Sequence, residues 1–213
     1  MPQASTRPWN PRRAALVGLA ALAVIPTPRG SRARARGRIG SGALARAIRR
    51  ARQAKLPRRA AVELGLMLRL YAGFPAAIEF LRALQEVWPA RTVAGVPASN
   101  EAERSWQPRG ERLCRRVYGP EYARLRAFMQ GLDPDLDRWM ILEGYGKTLA
   151  RKGLGVIDRE LATVAALAAL GWSRQQAAHA QGALRVGAPS RQVARAARIG
   201  ERCRSAFRAR DAR

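Results

Sequence analysis

"EGYGKTLARKGLGVIDRELATVAALAALG", residues 143–171, is the stretch whose reading decides the fold. Its second part is an Ala- and Leu-rich run. Asp158 stands where a capping residue is wanted, and Gly171 stands where a helix stops. That predicts an α-helix. Its first part is harder to read. Glu143 falls on the apolar stripe of a preceding helix, with Leu136, Trp139 and Met140 at helical spacing, and Gly144 and Gly146 then suggest a glycine-punctuated loop. A carboxylate on an apolar stripe is costly unless it is paired, protonated or used.

The neighbouring sequence is punctuated in the same helical manner. Residues 110–118 and 120–131 read as short helices separated by Gly119-Pro120. Asp133 can cap the next helix, with Pro134 at its first position and Asp135 and Asp137 near its positive end. Ser173 with Gln176 reads as a capping box for a helix over 174–186, closed by Gly187, and Ser190 after Pro189 begins the last helix. Upstream, helices are expected over 11–25, 42–54 and 58–70. The third runs into "LYAGFPAAIEFLRALQEVW" (70–88), which Gly73 and Pro75 interrupt. Asn-Gly-type turns and long β-branched runs are missing, so the fold class expected is all-α.

Five segments follow. Residues 1–10 read as a disordered N-terminus, 11–88 as a first unit, 89–108 as a Pro/Gly/Ser-containing linker, 109–200 as a second unit and 201–213 as a basic tail. The two units are weakly alike. Shifted by 145 positions, Leu16, Leu19, Ala20, Ala21 and Leu22 fall on Leu161, Val164, Ala165, Ala166 and Leu167. Tandem half-repeats are the expectation.

The 213 residues carry a formal charge of +25. Such a charge usually points to nucleic acid. Fifteen Arg/Lys and no acid lie in residues 1–60, while the remainder holds twenty-five basic against fifteen acidic residues. Because nearly all are Arg, beside abundant Ala, Gly and Pro, part of this charge has the look of coding bias. An electrostatic nucleic-acid binder working through the Arg-rich residues 29–59 stays as an alternative function, without a zinc-finger or RNA-binding strand motif to support it. Cys114 and Cys203 form no C-x-x-C, and a single histidine is too few for a His-based metal centre, so no metal is expected. The apolar run 14–25 after Arg12 and Arg13 resembles a secretory signal but is too short to span a bilayer. A cytoplasmic protein without membrane attachment is the expectation, with export as the alternative.

Four side chains of the second half are candidates for chemistry. Burial of Glu143 would favour its neutral form and make it a general acid or base. The structural reading pairs it with an arginine such as Arg159. Tyr145, between two glycines, lines either a ligand site or a tight helix contact. His179 stands mid-helix on a face of small residues, as a proton shuttle or a satisfied core histidine. Arg159 can fork onto a substrate carboxylate, or pair with Glu160, Asp158 or Glu143.

"GERLCRRVYG" (110–119), the quoted stretch 143–171 and "HAQGALRVGAPSRQVARA" (179–196) together resemble the carboxymuconolactone decarboxylase family. "LYAGFPAAIEFLRAL" (70–84) resembles a further segment of that family, one that normally follows the His-containing helix. The resemblance implies an all-α bundle of the alkyl hydroperoxidase D-like type, usually a homo-oligomer. It places Glu143 and His179 on acid–base positions and Arg159 on a substrate carboxylate, with Tyr71 and Phe74 as the apolar wall of a site shared by two units in a pseudo-dimer. The implied function is cofactor-free acid–base chemistry on a small carboxylated lactone. A catalytically degenerate interaction protein is one alternative. Peroxidase activity is another, although "GWSRQQAAH" (171–179) has no cysteine where that branch carries a C-x-x-C pair.

Overall fold

The computed structural model describes residues 9–25, 42–90 and 103–211, and these residues contain helices and no strand. The all-α expectation holds. In chain order the helices are α1 (Pro11–Ala23), α2 (Ala43–Gln53), α3 (Arg58–Val87), α4 (Trp106–Tyr118), α5 (Tyr122–Leu132) and α6 (Pro134–Trp139). A π-helix (Met140–Leu149) follows, then α7 (Val156–Leu170), α8 (Ser173–Arg185) and α9 (Ser190–Asp211). Short 3-10 turns at Glu103–Ser105 and Gly119–Glu121 lead into α4 and α5. The N-terminal eight residues, the Arg/Gly/Ser-rich break and most of the linker lie outside the described residues. The last helix runs through Asp211, across residues expected to be a tail.

Two compact units form, and they cut across the two halves read from the sequence. The larger joins residues 1–89 to 153–213, and the smaller spans 90–152.

In the larger unit, α7 is the central element. Every residue from Arg159 to Ala169 is buried, so the helix has no solvent face and needs neighbours all round. It packs against α1, α8 and α9. The apolar run that resembled a signal is α1, and its Leu16, Val17, Leu19, Ala20 and Ala21 are fully buried. Thus the two stretches that align at a shift of 145 residues, α1 and α7, lie side by side. Arg13 Nε donates to Asp158 Oδ1 at 2.5 Å, and its guanidinium also reaches Gln192 on α9 at 2.9 Å. Asp158 is therefore an ion-pair partner in the first turn of α7 rather than its cap; Gly155 occupies the N-cap position. The capping box expected at Ser173 is likewise not formed. Trp172 is the N-cap residue of α8, and no side chain caps that helix.

The second half of α3 begins where expected. Gly73 adopts φ 75°, ψ 176°, and this left-handed φ two residues before Pro75 bends the long helix. By length and composition α3 could cross a membrane. Its first half instead contributes Glu63, Leu64, Met67 and Leu68 to the core of the larger unit.

The smaller unit explains the glycines of "EGYGK". The chain does not loop out after Glu143; it winds on as a π-helix to Leu149. A Cβ on Gly146 would collide with the Trp106 carbonyl oxygen, and one on Gly110 with the Ile141 carbonyl oxygen. Hence α4 and the π-helix touch backbone to backbone, which only glycine permits. Gly144 meets no such obstacle, its nearest neighbour being the Trp139 carbonyl oxygen at 3.9 Å. Gly146→Ala is therefore expected to overpack this contact and lower stability by about 1–3 kcal/mol, while Gly144→Ala costs far less; chemical denaturation of the two variants checks this.

Asp133 caps α6 as expected, accepting from the amides of Asp135 and Leu136. Asp137 does something the sequence did not suggest. Its buried carboxylate accepts from Arg126 Nε at 2.5 Å and Nη2 at 2.7 Å, and from Gln130 at 3.1 Å. The arginine hydrogen bond holds the Asp137 carboxyl below its ordinary pKa, and the same contact pushes the Arg126 guanidinium further up.

Candidate active site

The wholly buried α7 contains two adjacent charged residues, Arg159 and Glu160. Ionised groups in such a place must find partners or carry a large desolvation penalty. Arg159 Nη2 lies 3.1 Å from Glu63 Oε2, with both side chains almost completely buried, and its Nε donates to the Leu154 carbonyl oxygen at 3.2 Å. The structural pairing anticipated for Arg159 is present, but the partner is Glu63, ninety-six residues away on α3.

Glu160 projects from the same turn of α7 toward α8. Its Oε2 lies 2.9 Å from His179 Nδ1, and the two side chains are 3% and 11% exposed. An ionised carboxylate has no proton to give, so in this contact Nδ1–H of the imidazole is the donor. Nε2 is the ring nitrogen that the Glu160 contact does not use. A buried carboxylate beside an imidazole is an arrangement that can orient a base for proton transfer, and equally one that ties two helices together.

Tyr71 completes the cluster from α3. Its ring meets the His179 ring edge-on, centroids 5.9 Å apart, and Thr163 Oγ1 donates to its hydroxyl at 3.0 Å. The sequence placed Tyr71 in the wall of a site with His179, and the two are in contact. Phe74 is 63% exposed, its ring under the Arg69 guanidinium at 5.4 Å.

Glu143 and Tyr145 belong to the smaller unit, whereas His179 and Arg159 belong to the larger. Glu143 is half-buried on the π-helix. Tyr145 is buried and packs edge-on against Tyr118, centroids 6.3 Å apart.

What α7 and α8 present is a carboxylate–imidazole pair nineteen residues apart, between a helix with a glycine stop and one carrying the protein's sole histidine. Residues 134–213 match the profile of the carboxymuconolactone decarboxylase family. This match covers less than half of the chain and includes Glu143, Arg159, Glu160 and His179, but neither Glu63 nor Tyr71. No curated protein and no solved structure matches the chain.

Sequence reasoning missed Glu160 and Glu63. The signal for Glu160 was present: a helix apolar on every side is buried, so a charge within it needs a dedicated partner. For Glu63 nothing marks the pairing, because α3 and α7 come together only in the tertiary fold.

No group of three or more His, Cys, Asp or Glu able to hold a metal occurs among the described residues. The thiols offer little to peroxide chemistry. Cys114 is buried in α4, and desolvation pushes the Cys203 thiol up, which disfavours its nucleophilic thiolate.

Proposed function

We propose that the protein performs cofactor-free acid–base chemistry on a small carboxylated molecule, a lactone acid or a related compound, with His179 transferring the proton and Glu160 orienting it. The observation that carries this reading is the 2.9 Å contact between Glu160 and His179 Nδ1. The family match over residues 134–213 supports the substrate class.

Decarboxylation of a β,γ-unsaturated lactone acid breaks a C–C bond. The electron pair moves into the conjugated system, and a proton must reach carbon as carbon dioxide leaves. A protonated His179 can deliver that proton from Nε2, and Glu160 stabilises the imidazolium while it is charged. Tyr71 packs edge-on against the ring. In this reading Glu143 is not required, and Arg159 anchors α7 to α3 through Glu63 instead of clamping the substrate.

The test is a screen of carboxylated lactones for carbon dioxide release, run on the wild type and on Glu160→Gln, His179→Gln and Glu143→Gln. Turnover that collapses in the first two and survives in the third supports the assignment. Turnover that survives His179→Gln, or collapses only in Glu143→Gln, contradicts it.

A further inference from the structure

We propose that α9 is a nucleic-acid-binding helix whose exposed row of Arg191, Arg195, Arg198 and Arg202 lies along the phosphate backbone of duplex DNA. All four side chains are exposed. At about 100° of turn per residue they fall within an arc of roughly 60°. The opposite face of α9 is fixed in the core of the larger unit. Val193 and Ala196 are buried, Gln192 binds Arg13, and Gly200 packs so closely that a Cβ would strike the Ala165 carbonyl oxygen of α7. The row is therefore held on a rigid support.

Its surroundings suit a close approach by a polyanion. Ala194, Ser205, Ala206 and Ala209 are short exposed residues beside it, while Glu201 and Arg208 are the long exposed side chains nearby. Arg195 also lies over the Trp9 ring at 5.0 Å, which orders its guanidinium.

Within α9 itself the charge of the row is poorly balanced. A solvated helix face gains from acids one turn away from its bases, yet Glu201 is the single acid among the described side chains of α9. Arg191/Arg195 and Arg198/Arg202 are like charges at i, i+4, which oppose the helix. The first turn contains no acid, so Arg191 also stands against the positive end of the helix. Phosphates outside the helix would relieve each of these penalties.

The geometry favours duplex DNA over a membrane. From Arg191 to Arg202 the row is about 16 Å long at 1.5 Å per residue, which spans about five steps of a strand rising 3.4 Å each. Guanidinium forks suit phosphate oxygens. An interfacial helix needs large apolar side chains beside its bases, and none of the exposed large hydrophobic residues lies on α9. This inference does not depend on the proton-transfer reading.

The test measures binding of the full-length chain to a fluorescent, mixed-sequence DNA duplex by anisotropy, between about 50 and 200 mM salt. Each phosphate contact contributes about 0.9 to the slope of log Kobs against log salt. R191Q/R195Q/R198Q/R202Q is expected to reduce the slope by about 3.6, and R195Q and R198Q singly by about 0.9 each. The single variants leave the fold intact if the fourfold variant does not. The comparison variant R46Q/R49Q/R50Q/R52Q changes exposed arginines of α2 and is expected to change the slope less. Absence of binding at the lowest salt overturns the proposal. So does an unchanged slope in the α9 variants, a larger loss from the α2 variant, or tighter binding of single-stranded RNA than of the duplex.

Discussion

Glu63→Leu is expected to lower the unfolding free energy by about 3–5 kcal/mol, the usual result of removing one member of a buried ion pair. The Glu63 and Arg159 side chains are 3% and 2% exposed, with 3.1 Å between their charged atoms. Leucine cannot receive the guanidinium, and Arg159 stays in the core without the Glu63 carboxylate. The loss should therefore exceed what one missing hydrogen bond would cause. The double variant Glu63→Leu/Arg159→Met removes both charges at once and is expected to recover most of the stability. Urea denaturation of the two single variants and the double gives the coupling energy. If Glu63→Leu alone were nearly neutral, α3 would not be tied to α7 through this pair.

Glu160→Gln and His179→Gln are each expected to lower turnover of the correct lactone acid by about 10²–10⁴, the usual contribution of a positioned acid–base group. The two variants fail for different reasons. His179→Gln removes the group that moves the proton. Glu160→Gln keeps a side chain of the same shape, but its amide can hydrogen-bond either tautomer and cannot stabilise an imidazolium by charge. The double variant should therefore be hardly worse than either single one, because the residues act as one unit. Additive losses would mean that Glu160 and His179 act at separate steps.

Most of the fold was legible because helices announce themselves locally. The cap at Asp133, the stop at Gly171 and the break at Gly73 each rest on residues within a few positions. Errors arose where a local signal had a competing tertiary use. Asp158 could cap α7, but Arg13 engages it from α1. Gly146 could open a loop, but the backbone of α4 lies against it. The site was half legible for the same reason. His179 and Tyr71 are chemically conspicuous, one as the lone histidine and the other beside a broken helix. Glu160 was weighed only as a neighbour for Arg159, although a helix buried from Arg159 to Ala169 leaves a carboxylate no solvent to face. Glu143 drew attention through its adjacent glycines. One of those, Gly146, serves packing within the smaller unit.

The tautomer of His179 tests the central claim most directly. With one histidine in the chain, a ¹⁵N-resolved spectrum contains one imidazole and needs no assignment. At a pH where the ring is neutral, the Glu160 contact predicts a proton on Nδ1 and a lone pair on Nε2. The Glu160→Ala variant is expected to lose that preference. A wild-type ring with its proton on Nε2 would mean that Nδ1 is not donating to Glu160, and the carboxylate–imidazole pair could not be the proton-transfer device.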